Sequence, residues 1–174
     1  MNRNNLVWYA CYGSNVYSER FKHYLIGGQY QGRGRDLEPC EDPTLWRDSR
    51  VIREPGRMHF AKERSSWGSY GVAFFRPEEE GTTIMKLYLV TEAQFRHIKR
   101  KEGASDHWYG YEYPLGEIDG IPVRTLTSRY RIEPENMPCR EYLDTIRNGL
   151  TLECGLTEEE AEEYLERCLQ PREQ

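Results

Sequence analysis

Two groups of residues have the types and spacing to do chemistry. They are the turn Tyr12-Gly13-Ser14-Asn15 near the N-terminus and a single glutamate, Glu102, in the middle of the chain. Gly13 lets the backbone turn tightly, or approach a ligand with no side chain in the way. Ser14 and Asn15 are both good helix N-caps, and Tyr17, Phe21, Tyr24 and Leu25 recur behind them at helical spacing. Ahead of the turn, the apolar and aromatic run from Leu6 to Cys11 reads as a buried strand. The expected order is therefore strand, glycine turn, helix start. That order gathers backbone N–H groups and the positive end of a helix dipole at one point, which suits an anion. No lysine stands in the P-loop position and no glycine repeat follows. A small carboxylate fits better than a nucleotide phosphate.

Glu102 breaks a packing pattern. Thr91 and Gln94 form a capping box, so a helix should start there, run to about residue 101 and stop at Gly103. Its apolar positions are Phe95 and Ile98, and the next inward position falls on Glu102. A carboxyl there sits beside unpaired carbonyls at the negative end of the helix. Desolvation and the dipole both disfavour its charged form, so the sequence predicts a raised pKa and a proton shuttle near neutral pH. The alternative is a helix that frays before Glu102 and lets the carboxylate swing into solvent.

Taken together, Tyr12-Gly13-Ser14-Asn15 after a strand and Glu102-Gly103 closing a central helix resemble the γ-glutamylcyclotransferase-like family. Tyr109 follows the Glu-Gly pair at the family's spacing, expected in the next strand. Pro138-Cys139-Arg140-Glu141-Tyr142 with a later Gly155-Leu156 is similar to the family's C-terminal helix. The resemblance runs from Tyr9 to about Leu156. Lys86, where many members carry glycine, and the stretch 32–46 depart from it.

The resemblance implies an intramolecular acyl transfer. The α-amine of a γ-glutamyl group attacks its own γ-carbonyl, closing 5-oxoproline and releasing the amine. Gly13, Ser14 and Asn15 would hold the α-carboxylate, and a backbone N–H of the same loop would meet the oxyanion. Glu102 would take the proton from the ammonium and return it to the leaving amine. Tyr12 would belong to the substrate site, with Tyr109 and Tyr142 orienting the substrate through their hydroxyls. Neither a metal nor an organic cofactor is implied. A non-catalytic module binding a small acidic metabolite in the same pocket, or another acyl transfer on the same scaffold, is the alternative.

Other reactive side chains read as structural. Cys11 ends a strand near the turn but has no histidine close in sequence to activate it, and it reads as core. His107 beside Asp106 should be exposed, while His23, His59 and His97 share no metal-ligand spacing. Trp46, Trp67 and Trp108 read as packing residues, Trp108 nearest the pocket. Arg33 or Arg35 could meet a second carboxylate on the substrate; Lys99, Arg100 and Lys101 read as a solvated face.

The elements that must position these groups follow from pattern. After the first helix, ended by Gly27-Gly28, the polar stretch 29–42 reads as a long loop. Segments 51–53 and 58–60 read as two strands around Glu54-Pro55-Gly56. Further strands are expected at 72–75, 84–90, 108–118 and 121–127, the last two joined by an Asp119-Gly120 hairpin turn. Two helices close the chain, one starting near Pro138 and one from a second capping box, Thr157 and Glu160. The expectation is one α+β domain over residues 1–174, with a mixed, mostly antiparallel, barrel-like sheet and helices packed outside it.

A net charge of −5 argues against a general nucleic-acid binder, and no apolar run approaches a membrane span. Five scattered cysteines without a C-x-x-C pair form neither a disulfide framework nor a zinc site. A cytoplasmic protein acting on a small molecule, with no nucleic-acid or membrane partner, is expected. The sequence leaves the oligomeric state open.

Overall fold

A computed structural model describes residues 5–171, without the side chains of residues 33–35. Strand β1 (Leu6–Cys11) is its axis: all six residues are buried. A strand apolar on both faces must be covered on both. It pairs antiparallel with β7 (Thr82–Thr91), placing Cys11 opposite Lys86, and parallel with β9 (Ile121–Thr127). Strands β4 (Ser49–Pro55) and β8 (Tyr111–Ile118) complete the five-stranded order β4-β7-β1-β9-β8. All of its pairings except β1–β9 are antiparallel. The sheet curls into a half-barrel, the mixed α+β architecture that the patterning predicts. Edge strand β4 is mostly exposed and carries Arg50, Arg53 and Glu54, charges that discourage pairing with another chain.

Two smaller ladders lie outside this sheet. Strands β5 (Arg57–Ala61) and β6 (Val72–Arg76) pair with each other. The residues around Glu54-Pro55-Gly56 therefore do not make a hairpin: the chain changes sheets there, at a Gly56 with φ +134°. Strands β2 (Gly28–Tyr30) and β3 (Arg33–Leu37) form a hairpin where a long loop is expected. Its turn, Gln31-Gly32, has positive φ at both residues, as two-residue hairpin turns do. Asp119-Gly120 turns β8 into β9 in the same way.

Two of the long helices start where the capping boxes predict. In α3 (Glu92–Glu102) Thr91 accepts from the Gln94 N–H while the Gln94 side chain accepts from the Thr91 N–H, and α5 (Glu158–Leu169) repeats this with Thr157 and Glu160. Phe95 and Ile98 face inward and are buried. Between α3 and α5 in sequence, α4 (Arg140–Leu152) buries Tyr142, Ile146 and Leu150. It also lies backbone to backbone on the segment after Gly13: a Cβ on Gly149 would stand 2.7 Å from both Tyr17 N and Val16 C.

The first helical segment differs from expectation. Residues 14–16 form one 3-10 turn, Tyr17 is extended, and α1 (Ser18–Phe21) and α2 (His23–Ile26) are single short helices. Neither Ser14 nor Asn15 caps a helix through its side chain; instead the Ser18 N–H at the start of α1 donates to both Glu153 carboxylate oxygens at 3.1 Å. Pieces this short sum too few peptide dipoles to present the helix end expected at the turn. Lys86 Nζ pairs with the same Glu153, so one carboxylate ties β7, α1 and the end of α4 together. Among the described residues, no helix is long and apolar enough to cross a membrane.

Candidate active site

The turn, Glu102 and the three tyrosines converge on one small cavity of about 40 Å³ at the end of β1. Tyr12, Gly13, Ser14, Asn15, Glu102, Tyr109 and Tyr142 all line it. Tyr9, Cys11, Ala73 and Leu126 join them. Topology explains the convergence: β1 delivers the turn, α3 packs on β1 and β7 with its C-terminal end toward it, and α4 covers the 3-10 segment.

Glu102 is the last residue of α3 and is half-buried; the helix does not fray before it. Gly103 ends the helix at φ +114°, its N–H bonded to Lys99 O. The Glu102 carboxylate accepts from Asn15 Nδ2 at 2.6 Å. Asn15 Nδ2 is also 3.1 Å from Tyr9 Oη, while Asn15 O accepts from the Tyr88 hydroxyl at 2.7 Å. Asn15 is thus held at backbone and side chain, and its amide fixes the carboxylate. Asn15 Oδ1 is buried with no hydrogen-bond partner among the described residues. A buried acceptor without a donor is costly unless a ligand supplies one.

Gly13 stands where nothing larger fits. A Cβ there would lie 2.8 Å from Tyr142 Oη and 3.3 Å from Ala73 Cβ. Its φ is −99°, so the demand is for space rather than for a left-handed backbone.

The tyrosines are more constrained than orienting groups with free hydroxyls. Tyr142 Oη accepts from Ala73 N–H at 3.0 Å, and the Tyr109 hydroxyl donates to Ala73 O at 2.7 Å. Both clamp β6 at one residue. Tyr109 has spent its proton there and can only accept from a ligand. It also lies in the turn before β8 rather than in a strand. Tyr12 likewise donates to Leu126 O at 2.7 Å. Burial raises the pKa of the Tyr9, Tyr12, Tyr109 and Tyr142 hydroxyls, so these groups stay protonated.

Cys11 is buried and its Sγ donates to Lys86 O at 3.3 Å. Burial pushes its thiol well above the ordinary value, which makes it a poor nucleophile. His107 is exposed against Tyr130. Trp46 packs on Phe21 and Tyr88. The side chains of Arg33 and Arg35 lie outside the described residues. Tyr9, Tyr88 and Ala73 are absent from any sequence reading of the site. The alternation along β1 gives a partial signal for Tyr9, whose side chain lies on the same face as Cys11.

Beside this cavity opens a second one of about 490 Å³. The two share Ser14, Glu102, Tyr109 and Tyr142. Trp67 and Trp108 both line the larger one, so Trp67 is a wall residue as well as a packing one.

No protein-family model matches the chain. Among solved structures, a γ-glutamyl cyclotransferase superposes with a TM-score of 0.65 at 16% identity, over 97% of this chain and 90% of that one. The fold is that of the γ-glutamylcyclotransferase-like proteins. An uncharacterised protein from Homo sapiens also aligns at TM-score 0.65 and 17% identity, covering 98% of this chain and 91% of its own. YkqA from Bacillus subtilis aligns at 0.57 and 21%, covering 94% and 54%. In sequence, the chain is 30% identical over 202 residues to the Arabidopsis thaliana protein named histone deacetylase 5. That match covers 94% of this chain, which spans about a third, 31%, of that relative's length.

Proposed function

We propose that the protein is a γ-glutamylcyclotransferase, converting a γ-glutamyl amine or peptide to 5-oxoproline and the free amine. The observation that carries this reading is the Glu102 carboxylate, fixed by Asn15 at 2.6 Å inside a cavity walled by the Gly13–Asn15 backbone.

In this account the substrate α-carboxylate lies against the backbone of the Gly13-Ser14-Asn15 turn, where no side chain at residue 13 obstructs it. The α-ammonium faces Glu102 and the buried Asn15 Oδ1, an acceptor awaiting a donor. Glu102 takes one proton from the ammonium. The amine nitrogen then attacks the γ-carbonyl carbon, and a C–N bond forms as the carbonyl electrons move to oxygen. As the tetrahedral intermediate collapses, Glu102 returns that proton to the leaving nitrogen and the bond to it breaks. Glu102 then takes the second excess proton from the ring nitrogen and passes it to the departing amine, leaving a neutral lactam N–H and a free ammonium. One carboxyl serves as base and then as acid. Holding the chain in its ring-closing conformer can supply about 7–11 kcal/mol of the barrier reduction. Tyr109 and Tyr142, anchored on Ala73, fix the wall against which the chain folds.

The test is 5-oxoproline release from a panel of γ-glutamyl compounds by wild type and Glu102→Gln. The reading requires product from the wild type and its loss in the variant, with ligand-induced thermal stabilisation retained. Thermal stabilisation without any product would favour the non-catalytic binding module.

A further inference from the structure

The second cavity is built differently from the first. It meets the small cavity at Glu102, on the side away from β1, where the leaving half of a substrate would project. Arg20, Arg64 and Lys101 line it, and among the described residues Glu102 is the one acidic side chain in its wall. This is a cationic chamber in a chain whose net charge is −5. Lys101 is paired with Glu38 at 3.4 Å. Arg20 and Arg64 make no ion pair with any described carboxylate.

Arg20 is the more organised of the two. Its guanidinium lies over the Trp67 ring, 5.8 Å from the centroid, and over the Tyr24 ring at 5.4 Å. Aromatic faces on a guanidinium fix its plane while leaving its N–H groups pointing outward. Its Nε is buried and has no hydrogen-bond partner among the described residues. A buried cationic donor left unsatisfied costs stability unless an anionic ligand completes it. A guanidinium held in a plane is also the group best shaped to grip a carboxylate with two parallel hydrogen bonds.

We propose that Arg20 is a specificity-determining residue that binds a carboxylate on the leaving half of the substrate. The substrate class is then γ-glutamyl α-amino acids and peptides, rather than γ-glutamyl derivatives of neutral or cationic amines. This rests on the cyclotransferase reading of the adjoining cavity. A volume of about 490 Å³ is ample for an amino acid or a dipeptide. Its Trp67 and Trp108 walls supply apolar contact for the side chain of that leaving group. A leaving group carrying an ammonium would meet Arg20, Arg64 and Lys101 at close range and be repelled.

The experiment compares three substrates that differ only in the leaving amine: γ-glutamyl-alanine, γ-glutamyl-ethylamine and γ-glutamyl-1,5-diaminopentane. The expected order of kcat/KM follows that sequence. The alanine compound should lead the ethylamine one by about tenfold or more, the scale of a charge-assisted hydrogen bond. In Arg20→Gln the alanine-to-ethylamine ratio should fall to near one, and Arg20→Lys should recover part of it. The wild-type comparison does not depend on any variant folding. Equal turnover of the alanine and ethylamine compounds, or a ratio unchanged in a folded Arg20→Gln protein, would overturn the inference and leave the cyclotransferase reading intact. Absence of 5-oxoproline from all three would remove the reading beneath it, and the inference with it.

Discussion

Asn15 and Glu102, 87 positions apart, meet at 2.6 Å through amide and carboxylate. The contact joins the turn after β1 to the last residue of α3, and makes one site of two motifs. Replacing the amide tests it. Asn15→Asp would set two carboxylates at a distance where both cannot ionise. The folded variant must then hold a proton that the unfolded chain releases, so its stability should fall as pH rises above the ordinary carboxylate range of about 4. Melting temperatures at pH 5 and pH 8 should show the deficit against wild type widening at the higher pH. A constant deficit would reduce Asn15 to a packing residue.

Gly13 is predicted to be intolerant of even one methyl group. Its Cβ would stand 2.8 Å from Tyr142 Oη, which is itself held by Ala73 N–H. Gly13→Ala should lower 5-oxoproline release by about tenfold or more, because misplacement by a fraction of an ångström is costly where catalysis rests on positioning. Tyr142→Phe removes the oxygen that clashes, so the double variant should lose less than the two single losses combined. Strict additivity would mean that the two residues do not share the cavity wall as described.

Lys86 is explained by its partner. Its side chain is 6% exposed and pairs with Glu153, 19% exposed, which also receives the Ser18 N–H. Glu153→Gln leaves a buried ammonium without its counter-charge and should cost about 3 kcal/mol in urea unfolding. Combining it with Lys86→Met should restore most of that loss. A double variant as unstable as Glu153→Gln alone would contradict the pairing.

His59 gives a pH signature remote from the site. It is fully buried, with neither ring nitrogen hydrogen-bonded among the described residues. Burial, opposed by the nearby Glu135 carboxylate, lowers its pKa to about 4. The unfolded chain takes up this proton near pH 6.5 and the folded chain only near 4, so the stability due to neutral His59 is present above about 6.5 and is lost as pH falls toward 4. The effect is on the order of 3 kcal/mol across that window. The melting temperature of wild type should fall more steeply from pH 6.5 to 4 than that of His59→Leu; parallel curves would contradict the assignment.

Much of the fold reads directly from the amino-acid sequence. Leu6–Cys11 announces a central strand because every residue in it is apolar, and two capping boxes mark the starts of α3 and α5. The phase of Phe95 and Ile98 carries Glu102 to the inner face, and Gly103 stops the helix there. What stayed hidden depends on contacts between distant segments. Nothing local reports that Tyr17 becomes extended, since that follows from Gly149 pressing on Val16 and from Glu153 taking the Ser18 N–H. The Gln31-Gly32 turn was hidden by a polar stretch with no alternating pattern around it. The change of sheets at Gly56 reads from sequence as an ordinary hairpin turn, because partner choice is a tertiary matter. The sequence places Tyr109 and Tyr142 in the candidate site but not their anchoring on Ala73, because no motif specifies the backbone opposite.

The central claim is that Glu102 moves protons in a ring closure. Its most direct test follows 5-oxoproline formation from γ-glutamyl-alanine by wild type and Glu102→Gln, with binding of the same compound measured by thermal shift. The account predicts product from the wild type, a loss of about a hundredfold or more in the variant, and a thermal shift in both. A Glu102→Gln protein that makes 5-oxoproline at the wild-type rate would contradict it.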